Sequence, residues 1–206
     1  KPDLVICPGD EADLNWLSRY EKTPELDEPM REWEQVKAFM SGIFALFPEA
    51  YCLTSNHGER FHKARALARL LEGMVVPWDE LLGAPKGWRW VDYVKAGHFV
   101  FEHGHKIGKG SRASILEEVT KRFNEHLSVV CGHHHSEMGD HIKPIWMPGG
   151  WQQRVVFTGC LMDRDYASYT RAGLAIGCVV IKHGVPIPIP MVRDRENRWV
   201  GTLPGY

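Results

Sequence analysis

The sequence lacks a long apolar run and lacks an excess of charge of one sign. No run approaches the roughly 20 residues that a membrane-spanning helix needs, and the opening Lys1, Pro2 and Asp3 do not lead into a secretory signal. The formal net charge is -1 and the pI is about 6.9, so a general attraction to nucleic acid is absent, although a local basic patch is compatible with these values. We expect a soluble, cytoplasmic protein that does not bind a membrane.

Closely spaced cysteines are also missing. The five cysteines are odd in number and far apart, so neither a zinc ribbon nor a disulfide framework is indicated. Each lies in or beside an apolar run, where an unpaired cysteine behaves mainly as a small buried hydrophobe. We therefore expect free, buried thiols. A structural zinc site is disfavoured because such sites are usually rich in cysteine and compact in sequence.

The order of apolar patterns predicts an α/β protein. The 206 residues and 44% apolar content are ordinary for one globular domain spanning 1–206. Helical spacing and strand-type runs alternate in the first half, with helices predicted at 11–20, 29–47 and 62–72 around strands at 4–7 and 51–54. This order predicts a layered α/β sandwich.

Short strands dominate the second half. They are predicted at 90–94, 97–101, 127–131, 155–158, 174–181 and 187–192, with one helix at 114–123. Because the last strands have no helices between them, mixed sheets are expected. The stretch 139–153, rich in Pro, Gly and Trp, is predicted to be a loop that either forms a wall of the site or lies on the surface.

The sequence does contain, after each of four apolar runs, a residue of a type that commonly binds metal ions. The residues are Asp10, Asn56, His103 and the triplet His133-His134-His135. Ligands in α/β folds gather beyond the carboxyl ends of the strands, so these side chains would converge there. Imidazole, carboxylate and amide-oxygen donors suit Mn²⁺, Fe²⁺ or Zn²⁺. We predict one metal site with Asp10, Asn56, His103, His133 and His135 as ligands, and with His134 facing away because alternate residues of an extended segment face opposite sides.

These motifs resemble those of the calcineurin-like metallophosphoesterases. That family is marked by Asp-x-His, Gly-Asp, Gly-Asn-His, His-Gly and Gly-His-x-His at successive strand ends. The last four are matched in order, over most of the chain, by Gly9-Asp10, Asn56-His57, His103-Gly104 and Gly132-His133-His134-His135. The resemblance implies an αββα sandwich of two mixed β-sheets flanked by helices.

The resemblance also implies two divalent ions, with Mn²⁺ preferred and Fe²⁺, Zn²⁺ or Ni²⁺ as alternatives. Asp10 would bridge them, Asn56, His103 and His133 would complete one ion, and His135 would serve the other. The implied activity is phosphoester hydrolysis, in which a metal-activated water attacks phosphorus and His57 protonates the leaving oxygen. A phosphodiester is favoured over a monoester, and a nucleotide or nucleic acid is a compatible substrate, so a nuclease is one version. The oligomeric state is not indicated.

Two departures from the family pattern favour an alternative. Ser55 replaces the usual Gly, and Gly58 stands where an acidic residue normally follows the His, with Glu59 one place later. The Asp-x-His motif expected before Gly9 is missing, and we expect that the first strand lies outside this sequence. If the motif is truly lost, the chain is a non-catalytic metallophosphoesterase-like binding protein with an incomplete metal site.

A basic, glycine-rich segment follows His103. Its cations Lys106, Lys109 and Arg112 are candidates for binding a phosphate of the substrate. A helix predicted to start near Ala113 would add free N–H groups to such an anion site. The alternative is a solvated loop without a ligand.

Overall fold

A computed structural model of the chain describes residues 1–18, 28–71, 73–107, 112–162, 173–196 and 198–201. The chain divides into two compact units, Lys1–Asp92 and Tyr93–Tyr206. These described residues form four α-helices and twelve β-strands, and the largest sheet is mixed. The predicted α/β class with mixed sheets is therefore confirmed, while the expectation of one domain stays a prediction. No helix in the described part of the chain is long and apolar enough to cross a membrane.

The first unit is built on a parallel three-stranded sheet. Its strands β1 (Ile6–Cys7), β2 (Glu49–Leu53) and β3 (Gly87–Val91) lie in that order. Parallel neighbours need crossover connections, which are supplied by α1 (Pro29–Leu46), α2 (Gly58–Leu67) and α3 (Trp78–Leu82). The polar residues that follow β1 and β2 are thereby delivered to the same edge of the sheet.

The predicted helix at 29–47 is confirmed by α1. Its apolar spacing buries Met40 and Phe44 against the sheet, where the Phe44 and Trp88 rings meet edge to face with centroids 4.8 Å apart. Such aromatic pairs stabilise by about 0.5–1.5 kcal/mol beyond their buried area. The apolar face of α1 thus forms the centre of the first core.

The predicted helix at 11–20 is wrong over the residues that are described. Only a 3₁₀ turn forms there, at Asn15–Leu17, and 19–20 lie outside the described part. The carboxylate of Glu32 accepts the backbone N–H groups of Leu14 and Asn15 at 2.5 and 3.1 Å, and Leu14 adopts a left-handed conformation with φ 52°. This tertiary contact supports a tight turn in place of a longer helix.

The helix predicted at 62–72 begins earlier and ends earlier than expected. It spans Gly58–Leu67, and the buried Ser55 hydroxyl accepts the N–H of Gly58, its first residue, at 3.1 Å. Leu70 and Leu71 lie beyond its end, and Glu72 is outside the described residues. The Ser that departs from the family pattern therefore has a local structural role.

The second unit contains a mixed five-stranded sheet in the order β4-β5-β6-β8-β7. Its strands are β4 (Tyr93–Ala96), β5 (Phe99–Glu102), β6 (Ser128–Cys131), β7 (Met138–Met147) and β8 (Trp151–Thr158). The central β5, β6 and β8 are parallel, and the edge strands are antiparallel. Helix α4 (Arg112–Phe123) connects β5 to β6, close to its predicted bounds.

Alternation along the central strands gives this sheet two covered faces. Val129 and Val155 pack with Val119 of α4, whereas their neighbours Val130 and Val156 pack towards Val179. Val179 belongs to a hairpin of β9 (Gly177–Lys182) and β10 (Val185–Pro190), and the short strands β11 (Val192–Arg193) and β12 (Trp199–Gly201) pair separately. The central strands are therefore apolar on both sides.

The prediction of a loop at 139–153 is wrong. Most of this stretch belongs to the β7–β8 hairpin, which turns at 148–150. The ladder shifts register between His141 and Ile145, and such an irregularity accommodates Pro144, which has no N–H to donate. Pairing with the buried strand β8 thus outweighs the local Pro and Gly signals.

All five cysteines are free thiols, as predicted. Cys52 and Cys131 are buried. A hydrogen bond with the neighbouring Cys7 and burial raise the pKa of the Cys52 thiol, and burial raises the pKa of the Cys131 thiol. Cys7 and Cys160 are partly buried, whereas Cys178 is exposed. The expectation of buried thiols is therefore met at two positions and wrong at Cys178, whose short strand β9 is covered on one side only.

Candidate functional site

Two histidines meet at the carboxyl ends of neighbouring parallel strands in the second unit. Glu102 of β5 and Cys131 of β6 are register partners, His103 follows directly, and His133 follows two residues later. The two ring centroids lie 5.2 Å apart, and a ring nitrogen of each lies within 4.8 Å of the other. His103 is only 2% exposed. Converging imidazole nitrogens of this kind fit a divalent transition-metal ion.

The backbone at His133 is held in an uncommon conformation. Its φ is 59°, and the His134 N–H donates to the Gly132 carbonyl at 2.6 Å, which closes a three-residue turn around it. A left-handed residue other than Gly costs about 1–2 kcal/mol, and such strain is concentrated at functional sites. The strained turn is an independent reason to regard His133 as a functional residue.

Gly104 is required by the packing beside His103. Its φ is 99°, and a Cβ there would lie 3.1 Å from the Cβ of Cys131. We expect Gly104→Ala to lower the free energy of unfolding by about 1–3 kcal/mol because conformation and packing are both violated. Urea denaturation measures the change. Gly97→Ala is the matched control, since φ is 56° and no atom lies within 4 Å. Equal losses in both variants would show that the contact with Cys131 is irrelevant.

The other nearby histidines differ in their surroundings. The His105 ring lies 5.3 Å from that of His103. His134 packs edge to face against Phe157, its ring lies 5.6 Å from that of His133, and burial lowers its pKa. The expectation that it faces away from the ligand nitrogens stays a prediction. Among the described residues, His135 does not join His103 and His133 in a group of three donors within 4.8 Å. Its role as a ligand stays a prediction.

In the first unit, Asp10 and His57 come together beyond the ends of β1 and β2. The strands are parallel neighbours with Cys7 opposite Cys52, so the segments that follow them share one edge. The backbone N–H of His57 donates to Asp10 Oδ1 at 3.4 Å. The Asp10 carboxylate thus lies at the start of α2, where the helix dipole favours negative charge. Asn56 lies in the same turn, between β2 and α2.

His57 is oriented by a carboxylate that sequence reasoning missed. Its Nδ1 lies 2.7 Å from Asp13 Oδ1, and Arg60 Nη1 contacts both the Asp13 carbonyl at 2.6 Å and Oδ1 at 3.3 Å. Glu59, the acidic residue one place after Gly58, binds Lys63 at 2.7 Å. In the sequence, the one sign of this contact was that Asp13 follows Asp10 by three residues in the same loop.

The loop that contains Asp10 and Asp13 is anchored between them. Glu11 Oε1 accepts the indole N–H groups of Trp78 and Trp90 at 2.8 and 2.9 Å. Hydrogen bonds to a charged acceptor contribute about 1.5–3 kcal/mol each. This anchor fixes the path of the loop and so limits where both aspartates lie.

The proposed phosphate-binding cations are only partly described. Lys106 is exposed in the segment after β5, Lys109 lies outside the described residues, and Arg112 begins α4 without a described side chain. The predicted helix start near Ala113 is confirmed. Phosphate binding by these residues stays a prediction.

No protein-family model matches the chain, and no curated protein or solved structure matches it either. The informative side chains are the His103–His133 pair in the second unit and the Asp10, Asp13 and His57 group in the first.

Proposed function

We propose that this chain is a divalent-metal-dependent phosphoester hydrolase of the metallophosphoesterase type. The observation that carries the proposal is the His57–Asp13 pair beside Asp10. A histidine without a chemical role has no structural need for a half-buried carboxylate partner that is itself held by an arginine. A proton-transferring histidine needs such a partner to fix its orientation and tautomer.

The donor chemistry fits the metal ions. His103 and His133 offer converging nitrogens, and Asp10 offers a carboxylate at a strand end. The assignment of Asp10, Asn56, His103 and His133 to one ion, and of Asp10 and His135 to a second, rests on the order of the motifs. The chemistry that bound Mn²⁺ supplies is charge stabilisation at the phosphoryl oxygens and a lowered pKa of the attacking water.

His57 is the proton donor in this proposal. Because Nδ1 faces Asp13 at 2.7 Å, Nδ1–H donates to the carboxylate and Nε2 is left to hold the proton for the leaving oxygen. Arg60 keeps Asp13 in place through its carbonyl and carboxylate oxygens. Asp13 thereby orients the imidazole ring, and His57 itself delivers the proton.

Asp13 supplies a test of this orientation. We expect Asp13→Asn to lower kcat by about 10- to 100-fold, a loss below the full contribution of a general acid, with Mn²⁺ affinity unchanged. The physical reason is that an amide no longer fixes the Nδ1–H tautomer. Steady-state kinetics and Mn²⁺ titration on the same protein measure both effects. Glu34→Gln, an exposed change on α1, is the control, and a kcat equal to that control would contradict the role of Asp13.

The activity itself is tested with two model esters. Bis-p-nitrophenyl phosphate and p-nitrophenyl phosphate are supplied to the protein with Mn²⁺ and after chelation with EDTA. We expect metal-dependent turnover that is faster on the diester. Absence of turnover with Mn²⁺, Fe²⁺, Zn²⁺ and Ni²⁺ would overturn the proposal in favour of a binding protein, and faster monoester hydrolysis would reassign the substrate class.

A further inference from the structure

The peptide group between Asp13 and Leu14 is held at both of its polar atoms. Its carbonyl oxygen accepts a hydrogen bond from Arg60 Nη1 at 2.6 Å. Its N–H donates to Glu32 Oε1 at 2.5 Å, and Glu32 Oε2 accepts the next N–H, that of Asn15, at 3.1 Å. Because a peptide unit is planar and rigid, contacts at its oxygen and its N–H fix the orientation of the whole plane.

Local preference alone does not favour this orientation of the peptide. Leu14 has φ 52°, in the left-handed region that residues other than Gly rarely adopt. Rotation of the peptide plane would return Leu14 to a negative φ, but it would also turn the N–H away from Glu32 and the carbonyl away from Arg60. These two contacts therefore hold the backbone against the preference of Leu14.

Arg60 links this peptide to the carboxylate that faces His57. Its Nη1 lies 2.6 Å from the Asp13 carbonyl and 3.3 Å from Asp13 Oδ1, the same oxygen that lies 2.7 Å from His57 Nδ1. If the peptide turned, Arg60 would lose the shorter of its two contacts and would no longer hold the carboxylate from a fixed position. The orientation of the peptide and that of the Asp13 carboxylate are therefore coupled.

The chemistry of Glu32 suits this contact. A carboxylate offers two acceptor oxygens and no donor, so it accepts two adjacent backbone N–H groups, which a glutamine of the same length cannot do with both of its terminal atoms. Burial is the main cause that raises the pKa of Glu32, and the Asp13 carboxylate raises it further. The two N–H groups and the Arg60 charge lower this pKa and so favour the charged form.

We propose that Glu32 is a positioning residue for the proton donor His57. It holds the Asp13–Leu14 peptide, which keeps Arg60 and the Asp13 carboxylate in place. Its effect on turnover rests on the proposed phosphoester hydrolysis, whereas its effect on the imidazole ring does not require catalysis. The alternative is a purely structural role, in which Glu32 only stabilises the turn around the buried Leu14 side chain.

A double-mutant cycle distinguishes these two roles. We expect Glu32→Ala to lower kcat on bis-p-nitrophenyl phosphate by about tenfold with KM unchanged, a loss typical of changing a residue that only supports a functional group. Combined with Asp13→Asn, it should cause no further loss, because both changes break the same chain of contacts. Losses that multiply in the double variant, or a kcat equal to that of the parent, overturn the proposal.

The control for general destabilisation is Phe44→Leu. Phe44 is a buried residue of the same helix, so its replacement should lower the melting temperature. It leaves the contacts of Glu32 in place, so kcat should equal that of the parent. An equal fall of kcat in Phe44→Leu and Glu32→Ala would show that destabilisation is the cause and would overturn the proposal.

The tautomer of His57 supplies a measurement that needs no turnover. Nitrogen-15 NMR of the imidazole, recorded at alkaline pH on protein treated with EDTA, distinguishes a proton on Nδ1 from one on Nε2. We expect Nδ1–H in the parent, because Asp13 accepts it, and a mixture of both tautomers in Glu32→Ala. Glu32→Gln keeps one acceptor oxygen and should show a smaller change, and it serves as the test variant if thermal melting shows that Glu32→Ala is unfolded.

The two measurements separate the two proposals. An inactive parent whose tautomer changes in the Glu32 variants would support the positioning role and refute phosphoester hydrolysis. An unchanged Nδ1–H signal in the folded Glu32 variants would overturn the positioning role, whatever the turnover of the parent.

Discussion

Replacing His57 by alanine is expected to lower turnover by about 10²- to 10⁴-fold, the usual contribution of a positioned general acid. Metal content should be retained, because the imidazole that Asp13 holds at 2.7 Å is assigned to the leaving group and not to an ion. Steady-state hydrolysis of bis-p-nitrophenyl phosphate and elemental analysis of the same sample measure the two effects. Added imidazole should restore part of the lost turnover.

The matched control for this prediction is His62→Ala. His62 is an exposed histidine on α2, the helix that begins directly after His57, so its loss changes the number of imidazoles without touching the Asp13 contact. Turnover in this control should equal that of the parent. A His57→Ala protein that loses its metal together with its activity would contradict the assignment and make His57 a ligand.

Replacing His103 by alanine is expected to abolish both metal binding and turnover. The change removes a buried nitrogen donor that lies within 4.8 Å of the His133 donor. Mn²⁺ affinity should therefore fall by more than about 100-fold, which exceeds the loss typical of changing a residue that only hydrogen-bonds to a metal ligand. The measurement is the rise in melting temperature on adding Mn²⁺, which reports binding to the folded state. The parent should be stabilised and the variant should not.

Two further variants separate ligand loss from general destabilisation. His126→Ala changes an exposed histidine of the same unit and should keep the full thermal response to Mn²⁺. His103→Asn keeps a polar side chain of smaller size and should fold more stably than the alanine variant while still failing to respond. A normal Mn²⁺ response in His103→Asn and His103→Ala would show that His103 is not a ligand.

The elements with strong apolar spacing were predictable from the sequence. Helix α1 follows from Met40 and Phe44 on one face, and the central strands follow from continuous apolar runs such as 129–131. Because ligands gather beyond the carboxyl ends of parallel strands, the sequence also predicted that Asp10 lies near Asn56-His57 and that His103 lies near His133. Periodicity and the direction of parallel strands were sufficient for these features.

The loop after β1 was not predictable in the same way. Its shape depends on contacts with distant residues, since Glu32 holds Leu14 and the indoles of Trp78 and Trp90 hold Glu11. Asp10 and Leu14 both adopt positive φ, which local propensity does not favour. The Asp13–His57 contact is a result of this tertiary folding, so a search for short motifs overlooked it.

The β7–β8 hairpin shows a second limit of local signals. Pro144, Pro148 and two glycines indicated a loop, yet pairing with β8 forms a long ladder with one irregularity. Proline and glycine residues predict where a strand bends, whereas the stability of the strand comes from pairing with the adjacent strand.

We propose that this chain holds divalent metal ions for phosphoester chemistry. The metal content per chain, measured by elemental analysis after Mn²⁺ loading and removal of the excess, is the first measurement to make. We expect two Mn²⁺ ions per chain in the parent and a marked loss in His103→Ala. A parent chain that retains no Mn²⁺ would overturn the proposal.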